Sequence, residues 1–150
     1  MSNFTLESEA FENGGVIPRK YGYKNGNQSP PLKISGVPEN TLSLVLIMDD
    51  PDAMGAVGKV WVHWLMYRRR DTESPNLFDP DKLIKMGKND FGEIGYGGPA
   101  PPDKRHTYIF KAYALDTELD LKEGYSKKEL EDAMKGHIIA EAKLTGTYAP

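Results

Sequence analysis

Short apolar segments separated by glycine and proline make up most of the hydrophobic pattern of this chain. Its 15 glycines and 11 prolines are spread along the whole length. The segment 43–48 is apolar at almost every position, and its shortness predicts a central strand buried on both faces. Further strands are predicted at 4–8, 32–37, 59–67 and 106–116. The pattern therefore favours a β architecture with long connecting loops.

Alternation within two of these strands predicts which side chains share a face, because successive side chains of a strand point to opposite sides. The predicted faces are Trp61, His63 and Leu65 against Val62, Trp64 and Met66 in the first strand, and His106, Tyr108 and Phe110 against Thr107, Ile109 and Lys111 in the second.

Only one segment has a clear helical pattern. Ser126 and Glu129 have the spacing of a capping box, which marks a helix N-terminus. Apolar residues then recur every four positions, at Leu130, Met134, Ile138 and Ala142. The spacing predicts a helix that ends at Gly146, with His137 on its core-facing side in a structural role. A weaker helical pattern covers 80–86.

One late helix among many strands predicts a mostly β (α+β) fold, a central β-sandwich with a few peripheral helices, in a single domain over residues 1–150. The chain has no cysteine, which excludes disulfides, thiolate nucleophiles and cysteine-based zinc sites. The formal net charge of −3 argues against a nucleic-acid partner. With neither a secretory signal pattern nor an apolar run of about 18 residues, we expect a soluble, cytoplasmic protein without integral membrane association.

Two segments carry the candidate chemistry, and each runs from a proline-containing turn into a strand with a histidine near its start. Asp50-Pro51-Asp52 precedes His63, and the Tyr96–Pro102 segment precedes His106 and Tyr108. Strands lying side by side would bring these groups into one polar pocket. A carboxylate beside an imidazole favours the charged imidazolium, which attracts an anion such as phosphate.

The same segments predict the surroundings of that pocket. Gly98 and Pro99 offer a backbone that could approach a ligand closely, and Trp61 and Tyr96 offer an apolar rim. No serine-nucleophile elbow, Walker loop or dinucleotide-binding glycine motif is present. A metal site made of Asp50, Asp52, His63 and His106 is chemically feasible, although the spacing is not diagnostic.

With these residues laid out, the chain resembles the phosphatidylethanolamine-binding protein family, also called Raf-kinase-inhibitor-like proteins, in its short bacterial and archaeal form. The matching stretches follow the family's order over nearly the whole chain. They are Phe11-Glu12-Asn13-Gly14-Gly15-Val16-Ile17-Pro18, Asn27-Gln28-Ser29-Pro30-Pro31-Leu32, Asp49-Asp50-Pro51-Asp52-Ala53, Val62-His63-Trp64, Asn89-Asp90-Phe91-Gly92, Gly95-Tyr96-Gly97-Gly98-Pro99 with Pro101-Pro102, His106 with Tyr108 and Phe110, Tyr113-Ala114-Leu115-Asp116, and Leu144-Thr145-Gly146-Thr147-Tyr148.

The resemblance implies a non-enzymatic protein without cofactor or metal that binds phosphate, phosphorylethanolamine or a similar headgroup. It also implies a regulated protein partner, a kinase or a serine protease, and leaves a homodimer open. Its pocket would be formed by Asp50, His63, His106 and Tyr108 with the Gly98-Pro99 backbone, and the support and rim by Asp52, Trp61, Pro101 and Tyr96.

Three positions depart from the family pattern, and two alternative functions stay open. Met54 stands where the family has proline, Ala100 where it has cysteine, and Thr107 where it has the arginine that follows the histidine. One alternative is a serine-protease inhibitor that acts through a surface loop, which His63→Ala would leave active. The other is a metal-dependent hydrolase, which would contain stoichiometric metal.

Overall fold

A six-stranded sheet forms the centre of the molecule in the computed structural model, which describes residues 3–70 and 84–150. The strands are β1 (Thr5–Glu7), β2 (Gly15–Val16), β3 (Lys33–Ser35), β4 (Ser43–Asp50), β5 (Trp61–Arg69), β6 (Ile84–Met86), β7 (His106–Leu115) and β8 (Ile138–Tyr148), and the helices are α1 (Ala53–Val57) and α2 (Lys127–Met134). The order in the large sheet is β2-β8-β7-β4-β5-β6, while β1 and β3 form a second, two-stranded sheet. All neighbours are antiparallel except β2 and β8, which are parallel.

The central strand β4 is buried along its whole length, as the apolar run predicts. On one face of the large sheet, β1 and β3 pack through Leu6 and Ile34 against a core that includes Phe110. On the other face, α2 packs through Leu130 and Met134. Because both faces are covered, the predicted mostly β sandwich with a helix near the C-terminus is confirmed.

A β-bulge in β5 overturns part of the predicted face assignment. Met48 pairs with Trp64 and Asp49 pairs with Val62, so His63 is an extra residue in β5 that no residue of β4 opposes. Val62 consequently lies in the same core as Leu65, not with Trp64 and Met66 as the alternation predicts. One inserted residue makes the side chains on one side of the bulge exchange faces. Alternation in the sequence alone does not reveal such an insertion. The prediction for β7 is confirmed, since its buried face begins with His106, Tyr108 and Phe110.

The late helix begins at the predicted residue but ends earlier along the chain than predicted. The Ser126–Glu129 capping box is present, but α2 stops at Met134, and Gly136, with φ 83°, lies in the turn that follows. Residues 138–148 form β8, where Ala140, Leu144, Gly146 and Tyr148 are buried. Spacing of four fits the buried face of a strand as well as that of a helix, so the helical interpretation of this segment was wrong.

Two smaller expectations also change. His137 lies between α2 and β8, where its Nδ1 is 2.9 Å from Oδ1 of Asp116 at the surface. The predicted helix at 80–86 is wrong for Ile84–Met86, which forms β6, and its other positions lie outside the described residues. The short helix α1, which ends at Gly58 with φ 80°, was not predicted. No helix in the described ranges is long and apolar enough to cross a membrane.

Gly146 supports a prediction about packing between β8 and the loop that covers it. A Cβ atom at this position would lie 2.6 Å from Ile17 and 2.8 Å from Phe11. We expect Gly146→Ala to lower the free energy of unfolding by about 1–3 kcal/mol, because the core would be overpacked. Urea denaturation measures this change.

Gly55→Ala is the matched control, because a Cβ atom there meets nothing within 4 Å and the residue lies in α1. Alanine should leave stability unchanged or raise it by up to about 1 kcal/mol, since it favours helix over glycine. Equal effects of the two substitutions would contradict the packing of β8 described here.

Candidate functional site

The candidate site lies at the end of the large sheet where β4 finishes and β5 and β7 begin. Asp50, the last residue of β4, pairs with Trp61, the first of β5. A cavity of about 200 Å³ opens there. Its lining comprises Asp50, Ala53, Ala56, Val57, Trp61, His63, Phe91, Ala100, Pro102 and His106. The structure therefore brings together three of the predicted polar residues in one pocket whose wall is otherwise largely apolar.

His106 lies between two carboxylates. Its Nδ1 is 2.6 Å from Oδ2 of Asp50, and its Nε2 is 2.7 Å from Oδ1 of Asp103. The imidazole and Asp50 are buried, whereas Asp103 is 44% exposed. Burial opposes the charged imidazole, but the hydrogen bonds and charges of Asp50 and Asp103 outweigh it and raise the pKa of His106. The same contact with His106 lowers the pKa of the Asp103 carboxyl.

His63 has a different environment, because the bulge turns it toward the interior of the pocket. Its Nδ1 is 2.6 Å from the carbonyl oxygen of Gly97. Its ring meets those of Phe91 and Tyr108 edge-on, at centroid distances of 5.6 and 5.1 Å. Burial lowers the pKa of His63 despite the Gly97 carbonyl and the nearby Asp50 charge. The neutral imidazole donates from Nδ1 to Gly97 and keeps Nε2 as an acceptor.

Tyr108 is fully buried, and its hydroxyl makes no hydrogen bond of standard geometry with any described residue. The hydroxyl faces the Asp50 carboxylate and the Ala100 backbone. Burial raises the pKa of the Tyr108 phenol, so its hydroxyl keeps its proton. The indole N–H of Trp61 is likewise buried without a described partner. The Trp61 N–H, which belongs to the pocket lining, is thus a buried donor that no described group satisfies.

Asp52 supports the site from the side. Its Oδ2 accepts a hydrogen bond of 2.8 Å from the backbone N–H of Thr107, and its own N–H donates to Oδ1 of Asp50 at 2.9 Å. These bonds tie the turn after β4 to the start of β7, next to His106. Asp52 therefore holds the two halves of the pocket together, as its place among the predicted support residues implies.

The segment 96–101 forms the wall behind the pocket. The N–H of Gly98 donates to Oδ1 of Asn27 at 2.7 Å, and a Cβ atom on Gly98 would collide with the Tyr21 carbonyl oxygen. The Pro99 carbonyl accepts from Tyr23 at 2.9 Å, and the Tyr96 hydroxyl donates to the Tyr21 carbonyl at 2.8 Å.

Gly98 therefore allows the backbone of Tyr21, and not only a ligand, to approach closely. Pro99 and Pro101 line a second cavity, of about 280 Å³, on the other side of this wall. Direct ligand contacts of Tyr96, Gly98, Pro99 and Pro101 stay predictions.

Sequence reasoning assigned no role to Phe91, which lines the pocket, or to Asp103, which contacts His106. Phe91 stacks on Tyr23 at 3.9 Å between centroids, and its loop is tied to β5 because Oδ2 of Asp90 accepts from the N–H of Val62 at 2.7 Å. The only signals were the Asn89-Asp90-Phe91-Gly92 stretch and the spacing of three residues between Asp103 and His106. No group of three or more described His, Asp or Glu side chains has the arrangement of a metal site.

The two histidines are expected to differ in protonation near neutral pH. NMR titration of the imidazole resonances should find His106 titrating above, and His63 below, the value of about 6.5 for an unperturbed histidine.

The two shifts also predict how the free energy of unfolding depends on pH. Because folding raises the pKa of His106, this residue adds to the free energy of unfolding below pH about 6.5, and the contribution is lost as pH rises through its folded pKa. Because folding lowers the pKa of His63, the free energy of unfolding decreases as pH falls below about 6.5 toward the folded pKa of this residue. The urea-unfolded chain is the reference, and the reverse order of the two pKa values would contradict the geometry.

Comparison with known proteins agrees with this architecture. The family model for phosphatidylethanolamine-binding protein matches residues 7–149. A UPF0098 protein of Chlamydia trachomatis is 47% identical over 146 residues, which cover 95% of this chain and 97% of that one. Among solved structures, the phosphatidylethanolamine-binding protein homologue CT736 from Chlamydia trachomatis has a TM-score of 0.87 at 43% identity and covers 99% of this chain and 98% of its own. Escherichia coli YbcL has a TM-score of 0.85 at 32% identity and covers 98% of each chain. The chain belongs to the phosphatidylethanolamine-binding protein family.

Proposed function

We propose that this protein is a non-enzymatic binder of small phosphate-bearing headgroups, such as phosphorylethanolamine, and that the pocket at Asp50, His63, His106 and Tyr108 is its binding site. The observation that carries the proposal is the pocket in which Asp50, His63 and His106 meet, together with the buried N–H of Trp61 in its lining, which has no hydrogen-bond partner among the described residues. A buried polar group of this kind is costly unless something satisfies it. A ligand oxygen in the pocket would accept a hydrogen bond from it.

The size and lining of the pocket favour a headgroup over a complete lipid. About 200 Å³ is small beside the 300 Å³ or more typical of drug-sized ligands. Phosphate oxygens can accept from the Tyr108 hydroxyl and the Trp61 indole N–H. An ammonium group can meet the Asp50 carboxylate and the faces of Trp61 and Phe91, because aromatic faces attract cations.

The hydrogen bonds of the two histidines support a binding role without catalysis. His63 bonds to a backbone carbonyl, and His106 bonds to two carboxylates. No described serine or threonine hydroxyl is hydrogen-bonded to either ring, so neither histidine is placed to activate a hydroxyl nucleophile. The Asp50–His106 pair instead keeps a charged imidazole at a fixed position in the pocket.

Tyr108→Phe tests the proposal, because it removes only the hydroxyl from a fully buried ring. We expect phosphorylethanolamine to bind about tenfold more weakly, since one hydrogen bond to a charged ligand is lost. NMR titration that follows the amides of His63, His106 and Ala100 gives the dissociation constant.

Tyr113→Phe is the matched control, because Tyr113 lies on the opposite face of the same strand and belongs to the other core. It should leave the affinity unchanged. If wild-type protein shows no saturable shifts at millimolar phosphorylethanolamine, or if the two variants bind equally, the pocket does not function as proposed.

A further inference from the structure

Both ring nitrogens of His106 have hydrogen-bond partners within the protein itself. Nδ1 lies 2.6 Å from Asp50, and Nε2 lies 2.7 Å from Asp103. An imidazolium has two N–H donors in all. A phosphate group could therefore reach a donor of His106 only by replacing one of the two carboxylates.

The two carboxylates differ in how firmly they are held. Asp50 is 4% exposed, ends β4, and accepts a second hydrogen bond through Oδ1 from the N–H of Asp52. Asp103 is 44% exposed and lies in the bend between Pro102 and Lys104, outside any strand or helix. Its Oδ1 accepts from the N–H of Lys104 as well as facing Nε2 of His106. Asp103 is the partner that a ligand can displace without breaking the sheet.

Asp103 also changes the charge of the site. Asp50 from β4 and Asp103 from the bend lie within hydrogen-bond distance of His106, the ring of Tyr108 from β7 lies 6.4 Å from it between centroids, and His63 from β5 lines the same pocket. With His106 charged, His63 neutral and Tyr108 protonated, the two carboxylates leave the group with a net charge of about −1. An anion meets repulsion there, which an ammonium group on the same ligand offsets in part.

We propose that Asp103 is a specificity-determining residue that occupies the position of a ligand's anionic group on His106 and so competes with free anions for the pocket. This inference rests on the proposed headgroup site. Inorganic phosphate must displace the carboxylate and overcome the negative charge, and it has no cationic group that could pair with Asp50. A headgroup that also carries an ammonium group gains the contact with Asp50. Asp103 thereby selects for zwitterionic ligands.

Asp103→Asn and Asp103→Ala test the inference at pH about 6, which lies below the raised pKa of His106 in the wild-type protein. Asparagine removes the charge and keeps an oxygen that can accept from Nε2; alanine leaves Nε2 open. NMR titration with inorganic phosphate should show binding on the order of tenfold tighter in Asp103→Asn than in wild type, and at least as tight in Asp103→Ala. Phosphorylethanolamine should gain less than inorganic phosphate in both variants. The His106 imidazole should titrate at lower pH in both variants, because one carboxylate partner has lost its charge.

Asp116→Asn is the matched control. Its carboxylate pairs with His137 at 2.9 Å and is 43% exposed, close to the 44% of Asp103, but it lies beyond the far end of β7. It should leave both affinities unchanged. If wild type binds phosphorylethanolamine and the Asp103 variants gain nothing for phosphate, the role of Asp103 is overturned while the headgroup site stands. If neither ligand binds wild type or any variant, both proposals fail.

Discussion

The contact between Asp50 and His106 is the interaction on which the rest of the site depends. It joins the last residue of the central strand to the first residue of its neighbour, at 2.6 Å and away from solvent. A buried carboxylate or imidazolium is costly alone, and removal of one partner from such a pair commonly destabilises a protein by about 3–5 kcal/mol. The two strands must therefore meet in one register at this end of the sheet. That register places Tyr108, two residues further along β7, beside the same pair.

The bulge in β5 supplies the second constraint. Without the extra residue, regular alternation would fix His63 opposite a residue of β4. With it, Trp64 packs in one core and Val62 in the other, while His63 turns toward Phe91 and Tyr108. Bulges are known to re-aim side chains next to functional sites. The loop that carries Phe91 and Gly97 is bonded to β5 on both sides of the bulge, through Val62 and the His63 carbonyl, so the re-aimed ring is held in place.

Sequence reasoning was sufficient for two of the strands that build the pocket and insufficient for the bulge in the third and for what connects them. The buried run of β4 and the alternation of β7 were readable because each has one dominant period, and they placed Asp50 and His106 at ends of strands. In β8 the apolar positions 138 and 142 fit a helix, while 140, 144, 146 and 148 fit a strand, and pairing with β7 decides between them. The bulge at His63 depends on pairing across strands, and Asp103 reaches His106 only through the shape of a bend. Neither leaves a periodic signal.

The unsatisfied groups of the pocket connect its stability with its function. A buried donor without a partner costs about 1–3 kcal/mol, and the Trp61 N–H is of this kind among the described residues. A fold keeps such groups only where the surrounding packing is strong enough, and here β4, β5 and β7 surround them. A ligand that accepts a hydrogen bond from such a donor offsets this cost when it binds. The charges on His106 and its two carboxylates influence which ligand binds best, because an anionic group that approaches His106 also meets Asp50 and Asp103.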